Sequence, residues 1–244
     1  MPTDPAIDAT RDGPELDGPE FDGPELDGPG LDRLEGELIE QWDRLLPHQT
    51  ELGRDLLRRY REKHRHYHDV RHLAAVLRRI DEFADDHDLF LVRLAAWFHD
   101  AVYAIPPGQL SNEDASARLV RRELGRAGLE QEDINEVARL VRLTTTHRPK
   151  PHDPEGELLC DADLAVLAGT PEEYAAYVAA VRAEYGHVPD EVFVPGRLAI
   201  MTELLTGNLF HTTKGFRLER AARANVEAEV ADLEARAEAL VGGS

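Results

Sequence analysis

An almost unbroken apolar run, Leu89-Phe90-Leu91-Val92-Arg93-Leu94-Ala95-Ala96, closes on Trp97-Phe98-His99-Asp100-Ala101-Val102-Tyr103. The run offers water no polar face and predicts a helix covered on most sides, so the rest of the chain has to fold around it. Such a helix does not end in two ionisable residues without a reason. Desolvating a carboxylate and an imidazole together costs several kcal/mol unless each finds a partner. Two arrangements meet that cost: His99 and Asp100 tied by hydrogen bonds as a satisfied polar plug, or a divalent cation that takes neutral imidazole and carboxylate as ligands. The dipeptide alone favours the plug. Other residues have to decide.

The chain has 244 residues, 42% hydrophobic and 31% charged, enough for a sizeable core. Residues 1–32 carry ten Asp and Glu against one Arg, so −9 of the net charge of −20 lies there and −11 in the remainder. That balance argues against binding duplex nucleic acid, which would need a basic face to neutralise phosphates. It can still take a small phosphorylated substrate through a metal. Cys160 is the only cysteine, which fits a reducing cytoplasm. No apolar stretch reaches membrane-spanning length, and the first residues lack the charged-then-apolar pattern of a secretion signal. The expectation is a cytoplasmic protein with no membrane contact.

Within residues 1–32 a five-residue unit repeats from Asp12-Gly13-Pro14-Glu15-Leu16 through Asp17 to Phe21, Asp22 to Leu26 and Asp27 to Leu31. Gly and Pro in each unit oppose regular structure, and the acids repel one another, so residues 1–32 read as a disordered acidic tail. From Leu34 onward helical periodicity takes over. Leu38, Trp42, Leu45 and Leu46 form one stripe; Leu52, Leu56, Leu57 and Tyr60 form a second; Leu73, Val76, Leu77, Ile80 and Phe83 form a third, within a helix expected over His68 to Ala84. Ser111 and Gly128 bracket another as N-cap and C-cap. Further helices are expected over Ile134 to Thr146, Leu158 to Leu167, Pro171 to Tyr185, Val192 to Thr206 and Phe216 to Leu240. No stretch alternates with period two. The reading is an all-α domain of nine or ten helices over residues 33–244, whose last helix packs on the outside or against a second subunit as a homodimer.

Two features bear on His99 and Asp100. His68 and His72 lie four residues apart, which on a helix puts them on one face, one turn apart. His64 and His66 read instead as part of a solvated basic helix start. In Leu158-Leu159-Cys160-Asp161-Ala162-Asp163-Leu164 two acids interrupt apolar residues. One can cap a helix and the other is available for a site, but spacing does not say which.

The order His72, then His99-Asp100, then an Asp in an Ala-Asp-Leu context resembles the H…HD…D signature of the HD superfamily of metal-dependent phosphohydrolases. More closely, Leu34 to Leu240 resembles the bacterial group of predicted metal-dependent HD phosphohydrolases. The matching pieces are His66 to His72, Trp97 to Tyr103, Ser111-Asn112-Glu113, Asp161 to Leu164, and Phe193 with Gly196-Arg197. The resemblance implies an HD-type helical domain in which His72, His99, Asp100 and Asp163 hold a divalent metal such as Mn, Mg, Fe or Zn, with Asp161 as the alternative to Asp163. Tyr67 to Leu73 also resembles the Tyr-His-Asn-x-x-His segment of cyclic-nucleotide phosphodiesterases, which makes His68 the candidate general acid. Asp100 could in addition orient or deprotonate water.

By the same resemblance Asn112 belongs to a substrate pocket and Glu113 partners water at the metal; a first-turn acid favoured by the helix dipole is the other reading of Glu113. His147 could bind phosphate or another metal, or merely decorate a helix end. Arg197 could contact phosphate or form a structural salt bridge. His152, His187 and His211 are given no role. Tyr103 stands where two-metal phosphodiesterases carry a further His, which implies one tight metal. The expected activity is hydrolysis of a small phosphate ester or nucleotide by a water that the metal activates. The alternatives are a non-catalytic module that keeps a metal and senses a nucleotide, and a diiron oxygenase, which needs more His ligands than the chain places.

Overall fold

Capping residues set many of the helix ends. A computed structural model describes residues 28–84 and 88–242. Among these the chain forms ten α-helices and two short 3₁₀ turns, with no strand. The order is α1 (Gly28–Leu45), α2 (Thr50–Tyr60), α3 (Val70–Phe83), α4 (Phe90–Phe98), α5 (Asn112–Ala127), α6 (Gln131–Leu143), α7 (Pro154–Leu164), α8 (Pro171–Glu184), α9 (Asp190–Leu204) and α10 (Glu219–Gly242). The 3₁₀ turns are Ala165–Ala168 and Gly215–Leu218. As expected, the Ser111 side chain accepts from the Asp114 N–H, and Gly128 closes α5 in the left-handed region at φ 83°. Thr170 and Glu173 form a reciprocal capping box ahead of α8.

Several boundaries differ from the periodicity, and three of them have a clear local cause. The acidic segment read as tail falls outside the described residues up to Asp27, but Gly28 to Asp32 are helical. Pro29 is tolerated in a first turn, where its missing N–H would have no partner, and Leu31 packs on the core. α3 begins at Val70 rather than His68, because Asp69 caps it by accepting from the Arg71 and His72 N–H groups. His68 therefore precedes the helix. α7 begins at Pro154, four residues before Leu158, since Asp153 accepts from the Gly156 N–H and Pro154 takes the first helical position.

The helices enclose two apolar clusters. The larger gathers α1 to α7 around Trp42, Tyr60, Leu73, Ile80, Trp97 and Phe98. The smaller joins Tyr67 and Leu164 to α8, α9 and α10 through Tyr174, Tyr177, Val194, Met201 and Val226. Leu218 packs against both. The apolar helix expected around Trp97 is α4, whose Val92, Leu94, Ala95, Ala96 and Phe98 are sealed from solvent. α4 packs on α3, α6 and α7, and α3 packs on α7. That crossing brings three segments of the chain together beside the C-terminus of α4. No helix among the described residues is long and apolar enough to cross a membrane.

Trp42 anchors this arrangement. Its ring lies 4.9 Å from that of Trp97, and its Nε1–H donates to the Gln49 carbonyl at 2.8 Å. α2 passes so close that a Cβ added to Gly53 would stand 2.5 Å from Trp42 Cδ1. Alanine normally stabilises a helix by about 1 kcal/mol relative to glycine. Here the sign reverses: Gly53→Ala is expected to lower unfolding free energy by about 1–3 kcal/mol, the usual range for overpacking. Gly125→Ala in α5, where nothing lies within 4 Å, is expected to raise it by about 0.5–1 kcal/mol. Denaturant melts of the two variants check the contrast.

Candidate metal centre

Each group of the site is held by the backbone around it. His99 follows the last residue of α4, where carbonyls lack helical partners. Its Nδ1–H donates to the Ala96 carbonyl at 2.7 Å, and the Tyr60 hydroxyl donates to the Trp97 carbonyl at 3.3 Å. With Nδ1 carrying the proton, the neutral ring presents a bare Nε2 inward. His72 lies in the first turn of α3, fixed by the Asp69 cap. Its Nε2 is 3.0 Å from His99 Nε2, 3.5 Å from Asp100 Oδ2 and 3.2 Å from Asp163 Oδ1. His99 Nε2 is 3.1 Å from Asp100 Oδ2 and 3.7 Å from Asp163 Oδ1.

Donors about 2.1 Å from one ion stand about 3.0–3.5 Å apart, so these spacings suit a single cation. Donor atoms of His72, His99 and Asp100 all lie within 4.8 Å of one another. Asp163 joins them through the two imidazoles. Two nitrogens and two carboxylate oxygens form a mixed set that suits first-row divalent ions. The four residues fit a metal.

The charges agree. Burial opposes a proton on His72, but hydrogen bonds to Asp100 and Asp163 outweigh it and push the ring up to about 10. Burial opposes a proton on His99 as well, but the negative charges of Asp100 and Asp163 outweigh it and the ring rises too. Burial would raise Asp100 and Asp163, yet the imidazoles hold both well below the usual carboxylate range. Without an ion, protons on the imidazoles balance the two carboxylates.

His72 and His99 side chains are 4% and 1% exposed, while Asp100, Asp163, His147 and His68 are 14%, 13%, 16% and 22% exposed. The imidazole donors therefore close the back, and the carboxylates face an accessible rim. On that rim His68 Nδ1 is bonded to Glu184 Oε2 at 2.7 Å, and the ring stacks on Tyr103 at 4.3 Å. Glu184 Oε1 also accepts the backbone N–H groups of His66, Tyr67 and His68 at 2.8–2.9 Å. Burial would raise the Glu184 carboxyl, but the bonds to His68 and these amides bring it down to about 2. His147 Nε2 lies 2.8 Å from Asp163 Oδ2. Arg65, whose side chain is fully covered, donates to the His68 and Asp100 carbonyls at 3.0 and 2.7 Å and so ties the two segments together.

Of the residues singled out in the sequence, His68, His72, His99, Asp100, His147 and Asp163 come together. Asp161 does not: it turns to the loop after α9, accepting from the His211 N–H, the Thr212 N–H and the Thr212 hydroxyl at 2.7–2.8 Å. The choice between the two aspartates falls on Asp163, because residues two apart on α7 point to different sides. Asn112 closes on the backbone of Ala104, accepting from its N–H at 3.0 Å and donating to its carbonyl at 3.3 Å. Glu113 occupies the first turn of α5. Arg197 donates to Glu229 at 2.8 Å and to the Tyr177 hydroxyl at 2.9 Å, which is the salt-bridge alternative. Glu184 and Arg65 escaped the sequence reading. No local pattern marks Glu184, which lies 116 residues from His68. Arg65 was hidden in a basic stretch that reads as solvated surface.

Residues 69–165 match the family model for the HD domain. The match supports placing this stretch in the HD superfamily, whose members are generally metal-dependent hydrolases. No curated protein and no solved structure matches the chain.

Glu184 supplies a measurable pH dependence. Its carboxyl is depressed on folding, from an ordinary 4.5 to about 2. Its ionisation therefore stabilises the fold fully above about pH 4.5, and the contribution is lost as pH falls through about 2. Glu184→Gln keeps an acceptor oxygen but not the charge. It is expected to cost about 1–3 kcal/mol at pH 7. In denaturant melts at decreasing pH the gap between variant and parent is expected to narrow below about pH 4.5; a constant gap would contradict the assignment.

Proposed function

We propose that the chain is a metal-dependent phosphohydrolase acting on a small phosphate ester or nucleotide. The observation that carries this reading is the position of His68: an imidazole held by a buried carboxylate at the open rim of a two-imidazole, two-carboxylate cluster. His72, His99, Asp100 and Asp163 would hold the cation. When bound, a divalent ion supplies Lewis-acid polarisation of a phosphoryl oxygen and lowers the pKa of a nearby water.

The chain's own groups supply the rest. Glu184 accepts at Nδ1 of His68, so the proton available for transfer is the one on Nε2, and its recipient is the departing oxygen of the ester. Stacking on Tyr103 holds the ring plane, which keeps that proton aimed at one place. Asp100, partly accessible, can orient an attacking water through its carboxylate. His147, beside the second oxygen of Asp163, is placed to meet an anionic oxygen of the substrate. Arg65 holds the His68 and Asp100 backbones in register through its bonds to both carbonyls. Resemblance to the bacterial HD phosphohydrolases and to cyclic-nucleotide phosphodiesterases supports the same allocation. Tyr103, standing where two-metal relatives carry His, supports a single tight ion.

The test separates holding the ion from using it. His99→Ala and Asp100→Ala are expected to lose bound metal on elemental analysis, together with phosphate release from a panel of nucleotides and phosphate esters supplied with Mn²⁺ or Mg²⁺. His68→Gln is expected to keep the metal and lose about 10²–10⁴-fold in kcat, the usual share of general acid catalysis. Full metal content in both donor variants would overturn the site. Saturable nucleotide binding without turnover in the parent would identify a regulatory module instead.

A further inference from the structure

A groove of about 550 Å³ runs between α1, α3, α7 and α8. Its floor is made of small apolar side chains, among them Ala74, Ala75, Ala165 and Ala180, and four arginines line it: Arg33, Arg71, Arg78 and Arg79. All four are already paired: Arg33 donates to Glu37 at 3.0 Å, Arg71 to Asp69 at 2.5 Å, and Arg78 and Arg79 both face Glu82. A guanidinium has five N–H donors, so such pairs retain donors for further carboxylates. His72 and Asp163 line the groove, whereas His99 and Asp100 do not. The groove thus reaches the cluster at His72 and Asp163.

We propose that this groove is the docking site of the chain's own acidic repeat, residues 12–27. The repeat has the complementary chemistry. It carries seven carboxylates and no basic side chain, and it sets one large apolar residue in each unit, at Leu16, Phe21 and Leu26. Spaced five residues apart, these can enter an apolar floor while the intervening Asp and Glu meet the arginines. The attachment point is also right. The described chain begins at Gly28, and Gly30, Arg33 and Leu34 of the first turns of α1 line the groove. The repeat therefore leaves the helix at the groove's own edge. In an extended form its sixteen residues reach about 50 Å at about 3.1 Å per residue, more than enough to follow it. Tethering this short gives an effective concentration on the order of mM, so weak contacts suffice.

A consequence follows that does rest on the phosphohydrolase reading: a docked repeat lies against His72 and Asp163 and competes with anionic ligands for the same basic surroundings. The docking itself does not depend on any activity, and the experiment reads it directly. In the full chain, Asp22→Cys is labelled with a nitroxide; Cys160 is buried and stays unmodified in the native protein. Paramagnetic broadening of backbone amide signals is then measured. Broadening is expected to concentrate at Ala74, Ala75 and Arg78. It is expected to fall at least several-fold in Arg33→Glu with Arg78→Glu, and on raising NaCl from about 50 to about 400 mM, where charge screening shortens to a few Å.

Both arginine positions are solvent-facing, with side chains 83% and 43% exposed, so the double variant folds. Uniform or absent broadening would overturn the proposal. So would broadening that appears when spin-labelled chain is mixed with isotopically labelled chain lacking the nitroxide, because that places the repeat of one copy on another. Loss of phosphohydrolase activity in the donor variants bears on the site alone and leaves this outcome unchanged.

Discussion

Two carboxylates and two imidazoles meet inside a helical core, and the rest of the structure is arranged to make that tolerable. His72 and His99 present Nε2 atoms to each other at 3.0 Å. Asp100 and Asp163 lie against both rings. Two negative charges at such depth need two positive ones, and among the described residues the partners of both carboxylates in the cluster are imidazoles. Protons on the imidazoles provide them in the metal-free protein, which is why burial fails to depress His72 and His99. A divalent cation provides them otherwise. Ala95, Ala96 and Ala162, all buried, leave room for α3, α4 and α7 to approach closely.

Much of this was legible in the sequence, for identifiable reasons. An apolar run too long for a surface helix located α4, and the polar pair at its end located half of the cluster. Periodicity in Leu73, Val76, Leu77 and Ile80 found the helix carrying His72. It failed one turn earlier: His68 continues the spacing but not the helix, because Asp69 spends its carboxylate on the first N–H groups of α3. The choice between Asp161 and Asp163 was not legible at all. It depends on the loop at His211 and Thr212, fifty residues on, which claims Asp161. Glu184 and Arg65 were invisible because their work is to satisfy backbone groups of distant segments, and backbone amides leave no mark in a sequence.

The N-terminal boundary shows a related limit. Four pentapeptide units look alike in composition, yet the fourth reads Asp27-Gly28-Pro29-Gly30-Leu31, and from Gly28 on it already belongs to α1. Repulsion between acids weakens there because Gly30 replaces the glutamate, and Leu31 gains a core to pack against. Local repetition predicted irregular chain, and a tertiary contact prevailed at the point where one was within reach.

The second apolar cluster connects to the site through polar contacts of its own. Glu229 accepts from Arg197 and from the Tyr174 hydroxyl, Arg197 donates to the Tyr177 hydroxyl, and Tyr177 packs edge-on to Tyr67 at 4.7 Å. Tyr67 in turn lies 4.9 Å from the His72 ring. From the same half of the chain, α8 sends Glu184 to the backbone and ring of His68. The stretch matching the HD domain, residues 69–165, contains all four donors but neither His68 nor Glu184. The donor set thus lies within the stretch that resembles the HD domain. The His68 ring at the rim is fixed from outside that stretch, by Glu184 at the end of α8.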